Sequence, residues 1–264
     1  PDMARLAGAE PVIIKTGIQE GFKINRSQLR GAITKRTRLF VLNSPSNPTG
    51  VSYTNDEMKE LSKILLDHPE IIVITDDIYE HVLWGQEKFS NILNVCPDLY
   101  DQTVVVNGVS KAYAMTGWRI GYVGGPASLV GAMKKIQSQS TSNPTSIAQV
   151  AARAALEGDQ SYIAESTRIF KERHDFVYKE LGKIKGIECQ PADGTFYIFP
   201  NMSGIIERME NIDDDLQLAE HFLDKAGVAL VPGSAFGAPG CMRISFATSM
   251  EKLKDALNRI KNAI

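Results

Sequence analysis

The sequence predicts an α/β fold, a mostly parallel sheet sandwiched by helices, followed by a smaller α+β C-terminal domain. Three observations carry this reading. β-branched apolar runs alternate with amphipathic helical stretches, the pattern of a parallel sheet covered on both faces. Three of those runs end in polar groups, and in such sheets functional loops lie at the carboxyl ends of the strands. After Gly182 the character changes to short strands around Asp193-Gly194 and a helix that opens on three aspartates. The boundary is placed inside a long helix, near residue 170, giving domains 1–170 and 171–264.

Taken in order, Pro11 to Lys15 is a short apolar run read as a strand. Ile24, Leu29 and Ile33 mark one face of a short helix. Leu39-Phe40-Val41-Leu42 is the next strand and runs into Asn43-Ser44-Pro45-Ser46-Asn47-Pro48-Thr49-Gly50, a dense cluster of turn formers. Thr54 and Glu57 have capping-box spacing. Met58, Leu61, Ile64 and Leu65 give the helix that follows an apolar stripe, and His68-Pro69 stops it. Ile71 to Ile74 is a strand of the buried type ending in Thr75-Asp76-Asp77-Ile78-Tyr79. Val104 to Val106 is another, closed by Asn107-Gly108. Ile120 to Val123 is a further strand.

Leu129, Val130, Met133 and Ile136 mark a helix after Pro126, and Ser138 to Pro144 is a polar loop. Pro144 opens a helix with Ile147, Val150, Ala151 and Ala154 inward. A longer helix, about Gln160 to Leu181, puts Tyr162, Ser166, Ile169, Phe170, Phe176 and Val177 on its buried side, with Gly182 as its cap. Ile187 to Gln190 and Thr195 to Phe199 read as strands. Asp213 to Ala226 is a helix whose three leading aspartates suit the positive end of its dipole, and Gly227 caps it. Val228 to Val231 and Met242 to Ala247 are strands. Thr248 and Glu251 form a second capping box before a helix that buries Leu253, Leu257 and Ile260.

Composition narrows the function classes. A net charge of −2 over 264 residues implies no broad electrostatic pull toward nucleic acid or membrane. No apolar run reaches the length of a membrane span, and no signal peptide is visible. Cys96, Cys189 and Cys241 are widely spaced and odd in number, which fits a reduced, cytoplasmic setting. The four histidines show no metal-ligand spacing, so no metal is expected.

The chemistry centres on Lys111, just beyond the Val104–Val106 strand. Desolvation at the mouth of a buried strand disfavours the ammonium form and makes a nucleophilic amine suited to a Schiff base. Arg119, eight residues on, has the planar fork that matches phosphate oxygens. Together they fit an aldehyde cofactor with a phosphate tail. A pyridine ring acting as an electron sink needs its nitrogen kept protonated, and a neighbouring carboxylate does that. Asp76 is the candidate; the alternatives are that it caps a loop or that Asp77 holds the role. Tyr79 and Asn47 could donate to a phenolic oxygen of the ring, or be a packed core tyrosine and a turn asparagine. Arg119 could instead belong to a surface ion pair. Arg243 lies in an apolar strand and needs a partner, either a substrate carboxylate or an internal salt bridge.

Asn47-Pro48-Thr49-Gly50, Asp76-Asp77-Ile78-Tyr79, Ser110-Lys111 with Gly117-Trp118-Arg119, and Met242-Arg243-Ile244-Ser245 together resemble the class I/II pyridoxal-phosphate aminotransferases of fold type I. The likeness runs along essentially the whole chain. It is finest to the bacterial aspartate aminotransferase subgroup, some of whose members accept prephenate, through 112–122 and Asp193-Gly194-Thr195-Phe196-Tyr197. The resemblance implies the PLP-dependent transferase fold and pyridoxal 5'-phosphate as cofactor, held by Asn47, Asp76, Tyr79, Ser110, Lys111 and Arg119. It implies Lys111 as the catalytic residue that moves the proton, and Arg243 with Asn47 as the grip on the substrate α-carboxylate. Amino-acid and 2-oxo-acid substrates follow, L-aspartate and 2-oxoglutarate first among them. So does a homodimer, with the Ser140 to Asn143 loop reaching the neighbour's site.

Two departures stand out. Many members carry a phosphate-binding serine three residues before the lysine, where this chain has Gly108, so the phosphate would lean on Arg119, Ser110 and upstream backbone. The family's N-terminal part, with a glycine-rich phosphate loop and a stacking aromatic, has no counterpart in these residues. The expectation is therefore a piece of a longer protein, with domain 1–170 incomplete at its N-terminus. Competing activities are a carbon–sulfur lyase, an aromatic or prephenate aminotransferase, and a non-catalytic sensor domain.

Overall fold

The computed structural model describes residues 1–85 and 88–264. A short helix α1 (Asp2–Leu6) precedes α2 (Arg26–Ala32), β1 (Leu39–Asn43), α3 (Asn55–Leu66), β2 (Ile72–Asp76), α4 (Ile92–Val95), β3 (Thr103–Gly108) and β4 (Gly121–Gly124). Three helices follow, α5 (Ala127–Ser140), α6 (Ser146–Glu157) and α7 (Ser161–Leu181). The C-terminal part comprises β5 (Tyr197–Ile198), α8 (Ser203–Ile206), α9 (Asp215–His221), β6 (Val231–Pro232), β7 (Met242–Ser245) and α10 (Met250–Asn262).

The larger sheet has the order β1-β2-β3-β4. Its first three strands are parallel and β4 is antiparallel to β3. Leu29, Leu61, Ile64, Leu65, Ile71 and Val73 pack the helices α2 and α3 onto one face. The capping box holds as read: Thr54 Oγ1 accepts from Glu57 N, and Glu57 Oε2 accepts from Thr54 N. Such a cap is worth about 1 kcal/mol.

The smaller sheet has the order β5-β7-β6, antiparallel throughout, with β7 in the middle. Its core joins Val177 and Leu181 of α7 to Ile198, Leu218, Phe222, Met242, Ile244 and Phe246, closed by Leu253, Leu257 and Ile260 of α10. The last helix thus buries the three residues that its periodicity marks.

Several expected elements differ. Pro11–Lys15 forms no strand; Val12 and Ile13 are exposed, and among the described residues no strand pairs with them. Ile187–Gln190 shrinks to one bridge between Glu188 and Asn201, and Val228–Val231 to the two-residue β6. The aspartate-led helix starts at Asp215 with Asp214 as its cap, then widens into a π-turn over Phe222–Ala226 before Gly227, which adopts φ 64°. At α10, Ser249 rather than Thr248 is the cap: its hydroxyl accepts from Lys252 N.

On α6 the inward residues are Ala148 and Ala152, packed on Val109 and Ile120. Ile147 and Val150 are 72% and 69% exposed. The facing stripe is rotated by one residue, about 100°, from the one the bulky side chains suggest. On α7, Tyr162 is exposed and His174 is buried instead. No residue of α5 is buried among the described residues.

Candidate active site

Register brings three strand ends level. Asn43 of β1 stands beside Asp76 of β2, and Asp76 beside Val106 of β3. The Asn47 loop, the Asp76–Tyr79 segment and the Lys111 turn therefore leave the sheet at one edge. Asn43 ties two of them together: its Nδ2 donates to the Asp76 carbonyl at 2.9 Å, and its Oδ1 accepts from Asn47 N at 2.9 Å.

The two adjacent aspartates part company at the strand end. Asp77 turns into the interior, where Thr75 Oγ1 and Asn91 Nδ2 donate to its two oxygens at 2.6 and 2.8 Å. Burial pushes its carboxyl up to about 6 despite those donors. Asp76 stays at the edge, half-buried, and its Oδ1 accepts from Ile78 N at 3.2 Å. Burial raises its pKa above the ordinary range; the Ile78 N–H and the positive charge of Lys111 work the other way.

Lys111 sits in the turn that follows β3, one residue after Ser110. Its Nζ lies 5.7 Å from the Tyr79 ring centre and 5.9 Å from that of Phe196. Both are within reach of cation–π attraction. Tyr79 is buried, and its ring meets Phe196 and Tyr197 edge-on at 5.6 and 6.2 Å. Burial, then the Tyr197 hydroxyl, hold the Tyr79 phenol well above its usual range.

Arg119 follows the short helical turn Thr116–Trp118 with φ 55°, and its Nη1 donates to the Thr116 carbonyl at 2.9 Å. The side chain is exposed. Gly108 has a steric reason: a β-carbon there would lie 2.9 Å from the Ile120 carbonyl oxygen and 3.1 Å from Ile78 Cδ1. A serine at 108 would force the backbone apart.

Arg243 reaches the same edge from the small sheet. Its Nη1 donates to Asn47 Oδ1 at 2.9 Å. The guanidinium lies over two rings, 4.4 Å from the Tyr197 centre and 5.1 Å from that of Phe236. Among the described residues its partners are therefore an amide oxygen and two aromatic rings, with no carboxylate. The planar fork keeps donors for a bidentate anion.

The family model for aminotransferase class I and II matches residues 1–260. The chain belongs to that family. It is 52% identical to the aspartate/prephenate aminotransferase of Nitrosomonas europaea, over all of this chain and 68% of that protein. The crystal structure of the aspartate aminotransferase from Rhizobium meliloti superposes with a TM-score of 0.94 at 43% identity, covering 99% of this chain and 66% of that one. The Thermus thermophilus aspartate aminotransferase solved with maleate gives 0.90 at 37% identity, covering 100% and 66%. The chain thus spans about two thirds of the length of these relatives.

Class I and II aminotransferases use pyridoxal phosphate, and the donor set fits that group. An amine, a desolvated carboxylate, a buried phenol and an exposed guanidinium share one sheet edge. Read from sequence, Asn43, Phe196, Tyr197 and Phe236 carry no role in the site. Asn43 opens the turn cluster and Phe196-Tyr197 follows Asp193-Gly194, but their partners lie far along the chain. Among the described residues no group of three or more His, Cys, Asp or Glu could hold a metal, and no helix is long and apolar enough to cross a membrane.

Proposed function

We propose that the whole protein is a pyridoxal-phosphate-dependent aminotransferase that takes L-aspartate and 2-oxoglutarate to oxaloacetate and L-glutamate. The observation that carries it is the placement of Arg243, held by Asn47, at the edge where Lys111 and Asp76 meet. Bound there, pyridoxal phosphate supplies an electron sink for the charge left when a substrate Cα loses its proton. Lys111 anchors the cofactor and carries that proton as the general base. Asp76 would hold the ring nitrogen in its cationic form, its carboxylate ionised beside that charge. Tyr79 and Asn47 would be the donors to the ring's phenolic oxygen. Arg119 and Ser110 would hold the phosphate. Arg243 takes the substrate α-carboxylate bidentately and fixes which Cα bond faces the ring.

The names of the relatives favour aspartate as amino donor, and the dicarboxylate maleate in one solved neighbour agrees with it. A second reading, prephenate as amino acceptor, is favoured by the relative named for both substrates and by the Tyr197 and Phe236 rings beside Arg243. A homodimer in the cytoplasm is part of the proposal, with the Ser140 to Asn143 loop turned toward the neighbour. So are two domains, 1–170 and 171–264, that meet at this edge.

The test is a donor screen of the full-length protein with aspartate, glutamate, alanine and tyrosine against 2-oxoglutarate, repeated with prephenate as acceptor. Rapid oxaloacetate formation that requires the acceptor is expected. Ammonia and a 2-oxo acid released without any acceptor would make it a lyase. Cofactor binding with no turnover of any donor would make it a sensor.

A further inference from the structure

We propose that His174 is a positioning residue for this site: by accepting the Ala192 amide hydrogen on Nε2, it holds the strap that sets Phe196 and Tyr197 against Lys111 and Arg243. The inference deepens the aminotransferase reading and rests on it for its kinetic arm.

The strap is residues 192–195, where the C-terminal part of the chain crosses onto the large sheet. The Ala192 peptide is gripped on both sides. Its N–H donates to His174 Nε2 at 2.9 Å, and its carbonyl accepts from Trp84 Nε1 at 2.9 Å. Asp193 N donates to the Gly50 carbonyl, the Asp193 carbonyl accepts from Trp84 N, and Asp193 Oδ2 accepts from Ser52 N, each at 2.9 Å. Thr195 N donates to the Val82 carbonyl at 2.7 Å.

Thr195 adopts φ 65°, a conformation that strains a β-branched side chain and survives only where its surroundings over-determine it. Thr195 Oγ1 then accepts from Tyr197 N at 3.1 Å. The next two side chains are the ring near Lys111 and the ring under Arg243. Slack in the strap therefore reaches both halves of the site.

His174 is built to accept. It is 2% exposed, stacked on Tyr178 with an interplanar angle of 4°, and 5.4 Å from the Trp84 ring. Its Nδ1 lies 3.0 Å from Asp175 Oδ1. With Nε2 receiving a hydrogen, the ring proton is on Nδ1 and donates to that carboxylate. The charged groups around it are Asp175 and Lys171 on its own helix and Asp193 on the strap. The remaining faces are the Tyr178 phenol and the rings of Trp84 and Phe246. Burial lowers the His174 pKa, with Asp175 opposing. A proton added at Nε2 abolishes the acceptor.

The experiment compares His174→Phe, which keeps a stacked ring without an acceptor, with His174→Gln, whose Oε1 can take the Ala192 hydrogen. The full-length protein carries pyridoxal phosphate in both. Hydrogen exchange over residues 190–197, read without substrate, should accelerate about tenfold in H174F, the worth of one hydrogen bond, and return toward wild type in H174Q. The KM for the amino donor should rise about tenfold in H174F with kcat within about threefold, again rescued by Gln. Because burial lowers the His174 pKa, wild type should lose strap protection only as the pH falls below the ordinary imidazole range, and H174F should not respond. Unchanged exchange in H174F, or equal loss in both variants, overturns the proposal. Wild-type protein that turns over no donor yet shows the expected exchange pattern would sink the aminotransferase reading and leave the strap assignment standing.

Discussion

On the large sheet, Asp76 and Lys111 meet at strand ends where the Asp76 carboxylate accepts from Ile78 N and Lys111 faces two rings. On the small sheet, Arg243 is already hydrogen-bonded to Asn47 and packed on the rings of Tyr197 and Phe236. In the lysine half burial raises the Asp76 pKa, so that carboxyl's charge responds to whatever binds beside it. The arginine half is oriented in advance, so binding there loses little side-chain freedom. Substitutions in the first half should act on the cofactor, and those in the second on the substrate.

The largest effect is expected from Lys111→Ala. Borohydride should no longer fix pyridoxal phosphate to the chain, and aminotransfer should fall on the order of 10³-fold or more. A label retained on another lysine would move the lysine half elsewhere. Asp76→Asn removes the opposite charge, worth about 1–3 pKa units at the ring nitrogen. It should cut kcat roughly 10- to 1000-fold and weaken cofactor binding, as read by equilibrium titration, while substrate KM changes little. Arg243→Lys keeps the charge and loses the fork. An increase in KM with kcat/KM down roughly 100-fold is expected, with the absorbance of the bound cofactor unchanged. If that spectrum shifts, the two halves are not separable.

A smaller effect concerns Asp77, which lies behind the lysine half. Its folded pKa is raised, so its contribution to stability is fully present below about 4 and is lost as the pH rises through about 6. Denaturant titrations of wild type and Asp77→Asn should diverge by about 1–3 kcal/mol across that window, with the variant flatter. Parallel curves would mean the carboxyl is not desolvated. The smallest effect is expected from Tyr197→Phe. The ring under Arg243 stays and only the hydroxyl beside Tyr79 goes, so kcat/KM should drop less than about tenfold. A larger loss would mean that the hydroxyl touches the reacting groups.

Much of the fold is legible locally. β1 announces itself by an unbroken apolar run, β2 and β3 by β-branched runs, and α3 and α10 by stripes that a 3.6-residue period makes visible. Errors fall where a partner decides. Pro11–Lys15 has strand composition but no neighbour to pair with, and a strand is stable only within a ladder. Ala148 and Ala152 face inward although bulkier residues flank them, because small side chains let α6 approach Val109 and Ile120 closely. His174 looks like one more polar residue on α7 until the strap lays an amide against it.

By itself the sequence determined which side chains leave the sheet at its carboxyl edge. Strand periodicity and turn residues are local, so Asn47, Asp76 and Lys111 could be placed there one strand at a time. Tertiary structure alone decided that Arg243, 196 residues beyond Asn47, closes onto it. It also decided that Asp77 turns inward while Asp76 does not. Those outcomes depend on desolvation and on contacts between distant segments, which no local pattern encodes.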